Sequence, residues 1–334
     1  MPVFGLELHE YLDAPTIVEE ARLGERLGYA SVWLGDSQLI WRELHTLLGA
    51  VATVTERVRL GSDVTNPLTR HPTVTASALA TLQELSRGRM ILGIGAGFTS
   101  ARTLGLAPAT RAALAEHVAT VRALLAGEAV PAAAGEMRLA FANPAAVPPI
   151  VLGAGGPKML RLAGEIADGV VFAGQGRADA ALRTKLDAVR AGREAAGRLG
   201  RPFLTCLGIA AAVHADRARA IAAVRPHVAA SVLVHPRWPL SPAAQQASER
   251  ARQVYRYAEH MSPSDRFAGL IPDEVVQEFA LAGTPDDCIA QARALFAAGI
   301  DEITIRPFPV DGGTRAATIE TFAHAVMSAF AYRP

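Results

Sequence analysis

Charge imbalance, cysteine and long apolar runs are all scarce in this chain, and each scarcity excludes something. The 33 Lys and Arg residues are matched by 32 Asp and Glu, a formal net charge of +1 over 334 residues. No basic block offers the footprint that nucleic acid or an anionic lipid surface requires, so neither is expected as a partner. Cys206 and Cys288 are the only cysteines. They lie too far apart for metal-type spacing, and two lone thiols fit a reducing cytoplasm. His9, His71 and His235 share no ligand spacing either, so no metal is expected. The start Met-Pro-Val-Phe-Gly-Leu-Glu has no basic segment, and no apolar run approaches a membrane span. The expectation is a soluble cytoplasmic protein. No serine or cysteine sits in a nucleophile-elbow setting, which leaves covalent hydrolysis without support.

What the chain has is alternation. Half of it is hydrophobic, and the apolar residues gather in short runs that read as strands at 3–8, 30–34, 57–60, 90–93, 149–152, 169–172, 203–213 and 302–305. Helical segments fall at 15–27, 43–55, 73–85, 109–125, 157–167, 178–199, 217–234, 285–298 and 314–330. Runs of Val, Ile and Leu this continuous argue for parallel strands buried on both faces. An open doubly wound sheet could use them, but eight regular units in this length suit an α/β fold of the (β/α)8 TIM-barrel type. One domain over 1–334 is expected. Its rhythm breaks only at about 235–273, where five prolines with Trp238, Tyr255 and Tyr257 suggest a lid-like insertion.

In such a barrel, chemistry sits on the loops that leave the C-terminal ends of the strands. Leu60 to Pro72 is the densest of these, a long polar stretch between an apolar strand and a helix. Glu7 stands near the end of an apolar strand, where a carboxylate is uncommon without a partner or a task. Asp36-Ser37 closes the second strand and could cap the next segment, bind a cofactor or relay a proton. Gly153-Ala154-Gly155-Gly156-Pro157-Lys158 is either a plain helix start or a seat for an anion on backbone amides. Gly93-Ile94-Gly95-Ala96-Gly97-Phe98 misses the dinucleotide fingerprint, because Phe98 occupies its third glycine position. Trp33 and Trp41 read as packing residues, Trp41 lying close enough to Asp36 to line a pocket. Arg70-His71 reads as a solvated or capping pair.

Several strings then resemble a known family. These are Phe4-Gly5-Leu6-Glu7-Leu8, Val64-Thr65-Asn66-Pro67 with Thr69-Arg70-His71-Pro72, Ser86-Arg87-Gly88-Arg89, Ala163-Gly164-Glu165-Ile166-Ala167-Asp168-Gly169 and Ala282-Gly283-Thr284-Pro285. The chain resembles the luciferase-like flavin and deazaflavin oxidoreductases, most closely the methylene-tetrahydromethanopterin reductase branch that uses coenzyme F420. That resemblance implies a TIM barrel with a non-prolyl cis peptide in a bulge after strand three, at Ser62-Asp63-Val64. It implies F420, or alternatively FMN, held by Asp36, Ser62, Asp63, Val64, Asn66, Gly95, Gly97, Thr99, Gly155, Gly156, Pro157, Lys158, Ala173, Gly174 and Gln175. Glu7, Asp36 and Ser37 are the catalytic candidates, and His9, Trp41 and Arg306 the substrate-side ones. A small-molecule substrate and a homodimer follow from the same resemblance. Ser37 stands where the family often has histidine, and the segment after strand four is short, which favours the broad reductase class over the pterin itself. The reading is hydride transfer between the deazaflavin C5 and an electron-poor C=C, C=N or C=O bond. The alternatives are an FMN-dependent monooxygenase and a catalytically silent cofactor-binding protein.

Overall fold

Strand and helix alternate here because glycine, proline and capping side chains punctuate the apolar runs. The computed structural model describes residues 2–8, 12–133, 135–173, 176–234, 240–254 and 269–330. Its strands are β1 Val3–Glu7, β2 Ser31–Leu34, β3 Arg59–Ser62, β4 Met90–Ile94, β5 Val130–Ala132, β6 Gly135–Met137, β7 Ile150–Gly153, β8 Gly169–Ala173, β9 Leu204–Val213, β10 Ala280–Gly283 and β11 Glu302–Pro307. Its helices are α1 Ala14–Arg26, α2 Leu44–Val54, α3 Pro72–Leu85, α4 Phe98–Thr103, α5 Arg111–Leu125, α6 Pro157–Ile166, α7 Ala180–Ala195, α8 Arg217–Val234, α9 Pro242–Arg252, α10 Asp273–Phe279, α11 Pro285–Ala297 and α12 Arg315–Ala325. Capping fixes several of the starts. Asp13 accepts a hydrogen bond from Thr16 N at 3.0 Å ahead of Pro15 in α1, and Thr284 with Asp287 forms a full capping box on α11.

The strands β1, β2, β3, β4, β7, β8, β9 and β11 pair in that order, and β11 returns to β1, closing a parallel barrel. All eight expected strands are present. The structure adds elements that periodicity did not reveal. The β5–β6 hairpin is antiparallel, and α4, α9 and α10 occupy stretches read as connections. Strand β10, Ala-Leu-Ala-Gly, is too short to show a period. It exists because β9 is long: β8 pairs with β9 as far as Gly208, and β10 pairs with Ala210–Val213 beyond it. Of the lid-like insertion, 240–254 is described and holds α9; 235–239 and 255–268, with Trp238, Tyr255 and Tyr257, lie outside the described residues.

Most of the apolar core lies between barrel and helices, where Leu6, Val32, Leu60, Leu92, Leu152, Val170, Leu207 and Ile303 are buried. The barrel interior is much smaller, a cluster of Trp33, Ile91, Val151, Val171 and Cys206. Trp33 is a packing residue, as read. Its Nε1 donates to Ser31 Oγ at 2.8 Å and Glu302 Oε1 at 3.1 Å, closing the barrel floor. Gly61 must be glycine there, because a Cβ would lie 2.3 Å from the indole. This thin apolar plug separates the floor from a polar group at the opposite, C-terminal mouth.

Candidate active site

The mouth is shaped by the chain leaving β3. The Asp63–Val64 peptide bond is cis, and the segment is tied on both sides. Asp63 N donates to Leu34 O at 2.7 Å, Thr65 N to Gly93 O at 2.9 Å, and Gly95 N to Thr65 O at 2.8 Å. Ser62 Oγ donates to Gly93 O at 2.7 Å and accepts from Gly93 N at 2.9 Å, so this side chain replaces ladder bonds. Val64 sits among glycines. A Cβ would lie 3.3 Å from its side chain at Gly93, 2.9 Å at Gly95 and 2.8 Å at Gly153. Gly93, Gly95 and Gly153 thus have a packing role, as a socket for the bulge, and only Gly153 of these belongs to the candidate anion seat. Gly97, at φ +80°, makes room in the same way for Asn66.

The bulge aims Asp63 at Glu7. A Cβ on Gly208 would lie 3.1 Å from Glu7 Oε2 and 3.7 Å from Asp63 Oδ2, so the absent side chain of β9 leaves the space both carboxyls use. Glu7 is 1 % exposed. Asp63 is half-buried by surface area, but its carboxyl is enclosed by protein. Burial pushes the Asp63 carboxyl well above its ordinary range; the charge of Glu7 and their hydrogen bond add to this, and Arg306 opposes it. Arg306, at the end of β11, donates through Nη2 to Glu7. Its Nη1 lies 2.6 Å from Nε2 of His227 on α8. Arg306 and Glu7 were expected at the mouth. Asp63 was expected as part of the bulge, not as an acid, and His227 was not expected at all. No local spacing marks His227; only an acceptor search around Arg306 could have found it.

Asp36 forms a separate cluster. It accepts from Thr65 Oγ1 at 2.6 Å and from Arg70 Nη1, and Arg70 Nη2 reaches Glu43 at 2.7 Å. Arg70 is therefore a clamp between two carboxylates, a correction to the solvated-pair reading, while His71 caps α3 as expected. Glu43, which also caps α2, is held down to about 2: its bonds to Thr46 and Arg70 outweigh burial. Ser37 is buried, and its carbonyl accepts from Ile40 and Trp41 amides at 3.1 and 2.9 Å.

Of the remaining cofactor candidates, Asn66 carries the clearest signal. Its Oδ1 accepts from Leu68 N and Thr69 N, while its Nδ2 is buried with no hydrogen-bond partner among the described residues. Thr99 is buried in the first turn of α4. Gly156 is the N-cap of α6 with no side-chain cap, followed by Pro157 and an exposed Lys158; Gly155 precedes it, also exposed. Ala173 ends β8 opposite Gly208. Gly174, Gln175 and His9 lie outside the described residues. Among the described residues, no group of three or more His, Cys, Asp and Glu could hold a metal, and no helix is long and apolar enough to cross a membrane.

A closed parallel barrel with carboxyl and cationic groups gathered at its C-terminal mouth defines an enzyme of the TIM-barrel class. Residues 2–302 match the luciferase-like monooxygenase family, and the chain belongs to it. It is 32 % identical over 314 residues to the 5,10-methylenetetrahydromethanopterin reductase of Methanolobus tindarius, covering 90 % of this chain and 92 % of that one. It is 29 % identical over 307 residues to an F420-dependent glucose-6-phosphate dehydrogenase of Amycolatopsis mediterranei, with 86 % of each covered. Among solved structures, the coenzyme F420-dependent tetrahydromethanopterin reductase of Methanopyrus kandleri superposes with a TM-score of 0.82 at 25 % identity, over 98 % of this chain and 99 % of that one.

Two outcomes follow from this geometry. Gly153→Ala drives a methyl into Val64 and is expected to cost about 1–3 kcal/mol in urea unfolding. Adding Val64→Ala should recover part of that loss, whereas simple additivity would contradict the socket. The second concerns Asp63. Between its ordinary value of 3.8 and its raised folded value, the folded chain keeps a proton the unfolded chain has lost, so this carboxyl costs stability as pH rises. Asp63→Asn should therefore gain in melting temperature over the parent between pH about 4 and neutrality. A gain that is flat with pH would contradict the assignment.

Proposed function

We propose that this chain is an F420-dependent oxidoreductase that moves a hydride to or from an electron-poor C=C, C=N or C=O bond of a small organic molecule. The observation that carries the reading is the Asp63 and Glu7 carboxyls meeting beside Gly208 at the barrel mouth, in a chain whose relatives include F420-dependent reductases and dehydrogenases. The residues present fit the deazaflavin. β3, β4 and β7 are neighbours, so the Asp63–Val64 bulge, the Asn66 donor and the start of α6 with Lys158 share one side of the mouth. Asn66 Nδ2 offers a buried hydrogen bond to a carbonyl edge, and Lys158 with the uncapped α6 favours an anion. When bound, the deazaflavin supplies or accepts the hydride at C5.

The chain's own work is positioning and the proton. Reducing a C=C, C=N or C=O bond with a hydride leaves an anion that must take up one proton. The Asp63 carboxyl faces the mouth and, by its burial beside Glu7, keeps its proton to higher pH than an ordinary aspartate. Loss of that proton leaves two carboxylates side by side, with Arg306 bound to Glu7 to offset that charge. In the oxidative direction the same carboxylate accepts the proton. Asp36, held between Thr65 and Arg70, ties the bulge to the end of β2 on the cofactor side.

Titration with oxidised and reduced F420, and with FMN, followed by absorbance and fluorescence, tests the reading. Micromolar binding of F420 with weaker FMN is the expected result. Tight stoichiometric FMN with NADH-driven oxygen uptake would overturn it in favour of the monooxygenase. Asp63→Asn should keep F420 affinity within a few-fold and slow turnover by roughly 10²–10⁴, the range for losing a general acid.

A further inference from the structure

Arg306 divides its two amine ends. Nη2 donates to Glu7, and Nη1 meets His227 Nε2 at 2.6 Å. A guanidinium has only donors and stays charged, so His227 Nε2 must be the acceptor. That fixes His227 as a neutral imidazole carrying its proton on Nδ1. The residue is 5 % exposed, and its ring packs 5.0 Å from that of Phe308 at 40°. Packing alone would accept any flat apolar ring at this place. The acceptor nitrogen is what an apolar ring would lack.

We infer that His227 is a positioning residue that holds one end of the Arg306 guanidinium, so that the other end meets Glu7. The inference rests on the proposed role of the Glu7–Asp63 pair. Arg306 already favours ionisation of Asp63 through space. Without the His227 acceptor, this hold on Nη1, on the side away from the Glu7 contact, is lost. More positive charge would then reach Asp63, and its proton would leave at lower pH. Among the described residues, Arg306 on β11 meets His227, and Glu7 on β1, Asp63 on the bulge and the Cys206 thiol on β9 lie behind it. Arg225 on the same helix turns away, to Asp273 at 2.6 Å and Ile271 O at 2.8 Å. The far side of α8 supports α9, where Ser248 Oγ donates to Val232 O at 3.1 Å.

The test uses the apo protein with carboxyl-¹³C aspartate, the Asp63 resonance being assigned by its absence in Asp63→Asn. In the parent, Asp63 should be protonated at neutral pH. His227→Phe keeps a packed ring but no acceptor, and should lower the Asp63 midpoint by about one pH unit, a tenfold change in ionisation. His227→Gln, whose side-chain oxygen can accept, should stay within a few tenths of a unit of the parent. An unchanged midpoint in a folded His227→Phe protein would overturn the inference while leaving the acid assignment intact. An ionised Asp63 in the parent would instead sink the acid assignment itself. Should His227→Phe not fold, ¹⁵N chemical shifts of the parent histidines decide: a neutral Nδ1–H tautomer for His227 supports the inference, and Nε2–H or imidazolium overturns it.

Discussion

Two carboxyl groups set into one enclosed barrel mouth cannot both be charged without a large electrostatic cost, and the site is built around that constraint. Glu7 comes from the first strand and Asp63 from the bulge after the third, with Gly208 opposite them leaving the space. Arg306 breaks the symmetry of the pair. It bonds Glu7, while burial and the neighbouring Glu7 push the Asp63 carboxyl well above its ordinary range. The raised Asp63 carboxyl is the group the proposed proton transfer would use.

The rest of the barrel serves that placement. The apolar plug of Trp33, Ile91, Val151, Val171 and Cys206 seals the interior beneath the pair, so the carboxyls face a low-dielectric floor. Cys206 shares their environment: burial, with Glu302, Asp63 and Glu7 nearby, pushes its thiol well up and keeps it neutral. The bulge is held by Val64 in its glycine socket and by Thr65, which pairs with β4 while its hydroxyl bonds Asp36. Arg70 ties Asp36 to Glu43 at the start of α2, linking the ends of β2 and β3 to α2 around the mouth.

The barrel itself was legible because parallel strands buried on both faces are near-continuously apolar, as most of the eight are; β3 (Arg-Leu-Gly-Ser) and β11 (Glu-Ile-Thr-Ile-Arg-Pro) are the exceptions. The ends of the strands were less legible. β3 was read at 57–60 and lies at Arg59–Ser62, because the carboxylate of Glu25 captures the amides of Glu56, Arg57 and Val58 and keeps that turn out of the sheet. Of the site, Glu7 could be seen as a polar group at the end of an apolar strand, while the bulge and the role of Arg306 followed from the family resemblance. The socket could not. Gly93, Gly95 and Gly153 matter through Val64, about 30 and 90 residues away in the chain, and a glycine cluster reads equally well as an anion seat. His227 and the Arg70 clamp were hidden for the same reason: an ordinary helix residue and a loop arginine take their roles from partners that only the closed barrel brings near.

Infrared spectroscopy of the apo protein across pH, comparing the parent with Asp63→Asn, addresses the shared proton most directly. The account predicts a carboxylic-acid C=O band that persists at neutral pH in the parent and is missing from the variant. A parent spectrum at neutral pH with only carboxylate bands would contradict it, because both carboxyls would then be ionised and the mouth would hold no acid.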